Sequence, residues 1–188
     1  MKKLIFPSLL FLLSVFAQAQ TTNRIPELDK SPMDMSYYPS NYPILKIQNK
    51  ATEDLVARVV YSRPQRQGRK VFGELVEYGK VWRLGANEAT EIEFFQTVRM
   101  GNKKIQKGRY SLYALVNEST WTIILNKETD IWGAFKYDME KDVVRVPVTV
   151  QVTEQISDAF YMYFEKASEG FNLVIGWEQF RVELPIKM

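Results

Sequence analysis

Between Val144 and Thr153 the chain alternates strictly. Val144, Val146, Val148, Val150 and Val152 are separated by Arg145, Pro147, Thr149, Gln151 and Thr153. Extended backbone points successive side chains to opposite faces, so this pattern predicts a strand with one apolar and one polar face. Pro147 brings no N–H to a ladder, which places that strand at a sheet edge or a bulge. The same period recurs along the chain. Ile92, Phe94 and Val98 share a face, as do Tyr110, Leu112, Ala114 and Val116, then Trp121, Ile123 and Leu125, then Phe160, Met162 and Phe164. Phe171, Leu173, Ile175 and Trp177 lead into Phe180, Val182, Leu184 and Ile186, and turn residues fall between the runs at Gly101-Asn102, Asn117 to Ser119, Ala167 to Gly170 and around Gly176. Many short strands at regular spacing predict an all-β fold, a single antiparallel β-sandwich or partly open barrel. Room for a helical turn is left only at Leu75 to Gly79 and Glu154 to Asp158.

The first residues depart from this pattern. Lys2 and Lys3 precede an apolar run from Leu4 to Phe16, and Ala17-Gln18-Ala19 then supplies small residues at the spacing of a signal-peptidase site. The run is too short to cross a bilayer, which takes about 20 apolar residues. Residues 1–19 are therefore expected to be a signal peptide cleaved before Gln20, an uncleaved N-terminal anchor being the rival reading, and the protein to be exported, to the periplasm or the medium. Residues 20–43, with Pro26, Pro32, Pro39 and Pro43, are expected to form an extended, turn-rich strap, and residues 44–188 one β domain. The tyrosines of Ser36 to Pro43 suit either packing over the sheet or stacking on sugar rings, and the strap is the simpler use.

Composition narrows the chemistry. The 188 residues include no Cys and no His. That removes disulfides, thiolate nucleophiles, the imidazole base of a Ser-His-Asp triad and the usual zinc or copper ligands. Of 25 Lys and Arg, two lie in the leader, so the remainder nearly balances 22 Asp and Glu and gives no field to attract nucleic acid. No later run has the length of a transmembrane span. Asp138, Glu140 and Asp142 have the alternate spacing that opens a calcium loop, but Val143 and Thr149 stand where its Gly and bidentate Glu belong, so a hydrated acidic turn is expected. No cofactor and no metal site is expected.

The most distinctive segment runs from Arg63 to Glu93. Arg63, Arg66, Arg69 and Lys70 crowd around Gly68. Trp82-Arg83 sets an aromatic beside a cation, and Gly85-Ala86-Asn87 suits a tight turn with φ above zero. Glu88, Glu91 and Glu93 follow. A guanidinium beside such a turn makes a polar pocket wall, and Arg63, Arg69, Trp82, Arg83, Asn87 and Glu88 are the candidate ligand-binding residues. The same residues also suit plain scaffold, with Trp82 in the core and Arg83 paired to Glu88 or Glu91. Trp121, Trp132 and Trp177 are read as core, with exposure left open for Trp132, since Trp132-Gly133 lies between strands.

The stretch GRKVFGELVEYGKVWRLGANEAT, from Gly68 to Thr90, followed by KGRYSLYALVNESTWTIILNK, from Lys107 to Lys127, resembles the bacterial domain-of-unknown-function family 2911. The resemblance covers about Thr52 to Lys127 well and the rest loosely. It departs from the family pattern at Glu77, where Pro is usual, and at Leu115-Val116, where Ile-Pro is common. It implies a bacterial exported protein and carries no activity. It marks Gly68, Arg69, Phe72, Gly73, Trp82, Arg83, Gly85, Ala86, Asn87 and Glu88 as its motif positions.

Three functions fit these residues. The first is a non-catalytic binding module for a small polar ligand, glycan or peptide in the cell envelope. The second is a carboxylate-dependent hydrolase of envelope polysaccharide or peptide, with Glu88 and Glu74 as its pair. The third is an envelope assembly or structural partner using a strand edge or apolar patch. The absence of imidazole and thiol favours the first, and oligomeric state is not written in the pattern.

Overall fold

The structure, a computed structural model, describes residues 25–188; the expected leader and its cleavage site lie outside the described residues. Two antiparallel sheets pack face to face, and neither closes into a barrel. The first holds β1 (Met33–Tyr38), β2 (Ala57–Ser62), β4 (Glu91–Phe94), β7 (Gly108–Val116), β8 (Thr120–Asn126) and β9 (Asp142–Thr149) in that spatial order, with β3 (Val81–Trp82) also paired to β7. The second runs β10 (Gln151–Ala167), β11 (Gly170–Lys187), β5 (Val98–Met100), β6 (Lys103–Ile105). This is the β-sandwich that the alternation predicts.

The period-2 faces become the core. Leu112, Ala114 and Val116 of β7 meet Trp121, Ile123 and Leu125 of β8 and, from the opposite sheet, Phe160, Met162 and Phe164 with Leu173, Ile175 and Trp177. All are buried, each large side chain contributing about 1.5–3 kcal/mol by leaving water. Pro147 does lie on an edge strand, opposite Thr122 of β8. Ile92 and Phe94 enter the core from β4 and Val98 from β5, so the single face expected for them is shared between two sheets.

Several expectations need correction. The valine run is not one strand: β9 ends at Thr149, β10 begins at Gln151, and Val152 is exposed. Glu154 to Asp158 belong to β10, where its register against β11 shifts twice, and Leu75 to Gly79 are turn residues around an isolated bridge from Val76 to Phe72. The helix, α1, is at Tyr42–Ile47, with Pro43 in its first turn. Within the expected strap, Met33–Tyr38 is the strand β1, paired along β2 from Met33–Ser62 to Tyr38–Ala57. The Tyr38 ring is buried, stacked on Phe171 at 4.0 Å. Trp121 and Trp177 are core, whereas Trp132 is 60% exposed, on a loop whose Ala134 and Tyr137 cover Tyr113 and Ile124 on the outer face of the first sheet.

β11 is not one straight strand. Eighteen residues at about 3.3 Å each would part its ends by more than 50 Å, yet Gly170 lies against the Ile186 carbonyl and Asn172 donates to Glu183 at 2.8 Å. The chain therefore doubles back near Glu178, whose φ is 57°. This is the junction between the two alternating runs, one ending at Trp177 and one starting at Phe180. Gly170 has no alternative here, because a Cβ would overlap the Ile186 carbonyl.

Candidate functional site

β3 and β4 lie along the same edge of β7. Trp82 pairs with Ala114, and Glu91 with Ser111. The eight residues from Arg83 to Thr90 therefore stand opposite only Leu112 and Tyr113, so the distinctive motif is an excursion out of a strand. It is a bulge several residues larger than the usual single insertion.

The excursion is held at every carbonyl from residue 83 to 87. The Arg83 carbonyl accepts from the Thr90 amide at 3.1 Å, and that of Leu84 from the Thr90 hydroxyl at 2.5 Å. The Gly85 carbonyl takes the Trp82 indole N–H at 3.1 Å. Buried Ser62 grips Ala86 twice, its Oγ accepting from the amide at 2.6 Å and donating to the carbonyl at 2.5 Å. The Asn87 carbonyl accepts from the Gly133 amide at 2.9 Å. Positive φ falls at Leu84 (55°), Gly85 (151°) and Asn87 (58°), not at Ala86. Gly85 alone is sterically forced, because a Cβ would stand 2.7 Å from Ser62 Oγ. Left-handed backbone at non-glycine residues persists only where surroundings over-determine it, and this hydrogen bonding does so.

Behind the excursion lies a cavity of about 230 Å³ lined by Ser31, Pro64, Arg69, Leu75, Val76, Trp82, Arg83, Gly85, Ala86 and Trp177. Its wall is the edge of an aromatic cluster. Trp82 stacks on Trp177 at 6.1 Å and meets Phe72, Trp121 and Phe160 edge-on, and Phe72 sits between Trp82, Trp121 and Phe180. Among the described residues, two arginines and no carboxylate reach the lining.

Arg83 is the unusual one. Among the described residues, four arginines have a buried Nε without a hydrogen-bond partner: Arg58, Arg66, Arg83 and Arg181. Arg58, Arg66 and Arg181 engage carboxylates, at Glu93, at Asp158 and Glu178, and at Glu165 and Glu183. Arg83 engages none among the described residues. Neither expected partner meets it: Glu91 pairs with Arg109, and Glu88 turns to another surface. Burial without an opposite charge holds the Arg83 pKa below the ordinary guanidinium value. Arg69 also meets no carboxylate among the described residues, but its guanidinium is aimed by two backbone carbonyls, those of Gln65 and Arg66, both at 2.8 Å.

Of the six candidate residues, the structure brings three together: Arg69, Trp82 and Arg83. Arg63 lies elsewhere, bound to Asp34 at 3.0 Å and to the Phe160 carbonyl. Asn87 serves the excursion through its backbone. Glu88 lines a separate depression with Glu91 and Asp130, both tied to Arg109, and exposed Glu74 is not part of it. Sequence reading missed Ser31, Pro64, Leu75, Val76 and Trp177 as lining residues; Pro64, Leu75 and Val76 lie in the distinctive segment without a polar signal, and the fold brings Ser31 and Trp177 in from distant parts of the chain.

The acidic turn is also plain in the structure. Asp138 caps the 3₁₀ turn Met139–Lys141, and Asp142 accepts from Tyr137 at 2.6 Å, Arg145 and Asn126. Among the described residues no group of three acidic side chains is arranged to hold a metal ion, and no helix is long and apolar enough to cross a membrane.

No curated protein and no solved structure matches the chain. A family model, described as "Protein of unknown function (DUF2911)", matches residues 43–186 and spans every element from α1 to β11. The chain belongs to the DUF2911 family of proteins of unknown function.

Proposed function

We propose that this protein is an exported, non-catalytic binding module that takes a small polar ligand by an anionic group, in the cavity behind the 83–90 excursion. One observation carries the reading: Arg83 is half withdrawn from water, its Nε fully buried, with no carboxylate among the described residues to answer it. An unanswered charge held away from water is a standing cost to the fold, and a ligand carboxylate or phosphate removes that cost when it binds. The planar guanidinium suits bidentate capture of either group. Arg69, held by two carbonyls, adds a second cation on the same wall. Leu75, exposed at the rim, offers apolar surface to the body of the ligand, with buried Val76 and Trp177 behind it. The volume suits a small molecule or the terminal group of a larger one, being below the ~300 Å³ of drug-sized sites. The leader at residues 1–19 is the support for export to the envelope.

The test is thermal unfolding of the chain from Gln20 with short carboxylates, N-acetyl amino acids, inorganic phosphate and their neutral amides. A ligand at a hundred times its Kd stabilises by about 2.7 kcal/mol, or roughly 5–11 °C here. The expected result is a rise with an anionic member, none with its amide, and loss of the rise in Arg83→Gln. A panel without effect at about 10 mM, or a rise that survives Arg83→Gln, overturns the reading.

A further inference from the structure

On the outer face of the second sheet lies a groove of about 390 Å³ lined by Arg63, Thr153, Gln155, Ser157, Tyr161, Tyr163 and Arg181. Its floor is aromatic. Tyr161 and Tyr163 are two residues apart on β10, so both point outward, and their rings lie 22° from parallel with centroids 6.1 Å apart. Opposite Tyr161 on β11 stands Gly176, where a Cβ would overlap the tyrosine ring. The ring thus lies across the bare backbone of Gly176 and, with the near-parallel ring of Tyr163, which is 38% exposed, makes the aromatic floor. Around the platform stand two hydroxyls, an amide and two guanidinium groups, a dense set of donors and acceptors.

The charge state of the rim separates this groove from the cavity behind the excursion. Arg63 is neutralised by Asp34 at 3.0 Å. Arg181 is neutralised twice, by Glu165 at 3.2 Å and by Glu183 at 2.7 Å. A dissolved anion gains little from arginines already answered, whereas hydrogen-bond capacity at Gln155, Thr153 and the outer guanidinium edges remains. A flat aromatic floor, a polar rim and balanced charge are complementary to a ring with apolar C–H faces and equatorial hydroxyls.

We propose that this groove is a second binding site, for one or two rings of a neutral oligosaccharide stacked on Tyr161 and Tyr163. This goes beyond the anion cavity and does not depend on it. Thr153 and Ser157 keep their hydroxyls on local carbonyls, at 2.9 Å to Gln155 and 2.7 Å to Ala159, so their lone pairs are left to accept from sugar hydroxyls. The two register shifts of β10, between Val152 and Ser157 and between Ser157 and Tyr161, bend this segment beside the platform and so shape one wall.

The experiment is calorimetric titration of the chain from Gln20 with cellohexaose, hexa-N-acetylchitohexaose, mannohexaose and oligogalacturonate. Binding by a neutral member with a Kd of about 10 mM or tighter is expected. Tyr163→Ala should weaken it by about tenfold and Gln155→Ala by a smaller factor, both with unchanged thermal midpoint, since both side chains face solvent. Binding by none of the three neutral oligomers, by oligogalacturonate alone, or unaffected by either substitution overturns the proposal.

Discussion

Replacing Arg83 by Gln separates an arginine that holds the fold from one kept for a ligand, and Arg66 provides the internal standard. Arg66 is 25% exposed and sits between Asp158 at 3.5 Å and Glu178 at 3.3 Å, the latter 14% exposed. Removing one side of a fully buried pair costs about 3–5 kcal/mol and of an exposed one about 0–1, so Arg66→Gln should cost about 1–3 kcal/mol. At roughly 2–4 °C per kcal/mol for a domain of this size, its midpoint should fall by about 2–12 °C. Arg83 has no carboxylate pair to lose. Gln keeps part of the stem and is uncharged, so the desolvation that depresses the Arg83 pKa disappears with the charge. Substitutions that relieve such a functional burden commonly return about 0.5–2 kcal/mol, a rise of roughly 1–8 °C. The assay is thermal unfolding by circular dichroism of both variants and the parent, in a buffer free of phosphate and carboxylate so that no anion occupies the cavity. A fall of about 4 °C or more in Arg83→Gln would refute the reasoning, because the guanidinium would then be answered within the fold.

Gly85→Ala should cost about 2–4 kcal/mol, from backbone strain at φ 151° and displacement of the Ser62 hydroxyl from Ala86; a midpoint change below about 2 °C would contradict the steric account. Tyr137 is pushed up to about 12, first by burial and then by its hydrogen bond to Asp142. A tyrosine whose folded pKa lies above its unfolded value of about 10 adds stability that is complete below pH 10 and lost as pH rises toward 12. The stability difference between the parent and Tyr137→Phe should therefore be constant from about pH 7 to 9 and shrink above 10, as denaturant unfolding at each pH will show; a difference that grows above pH 10 would reverse the sign.

What the sequence made legible was whatever depends on neighbours two residues apart. Trp121, Ile123 and Leu125 write their shared face into the chain, and Pro147 writes its edge position, because each signal is local. The valine run misled at Val152 because alternation does not record where a chain passes from one sheet to the other. Ala57, Val59 and Tyr61 of β2 carry the same period, but Arg58 and the flanking Pro and Arg residues give the segment a loop's composition and hide it. The site was half visible. Trp82, Arg83 and Gly85 announce a special turn, but the solitude of Arg83 arises from the placement of Arg109 beside Glu91, two strands paired by the fold. Spacing along the chain placed Glu88 and Glu91 closer to Arg83 than the sheet does.

The pinning of five successive carbonyls, at residues 83 to 87, sets how the cavity meets a molecule arriving from solution. Two of its anchors, Ser62 and Thr90, are buried at the ends of sheet strands, so the rim of the cavity is as stiff as the sandwich itself. Nothing there has to be ordered when a guest enters, and no flap has to open when it leaves. In the proposed role, less of the free energy of contact is then spent on ordering the backbone of the rim. For the proposed ligand, discrimination would then be a matter of fit to a fixed shape, read mostly in dwell time.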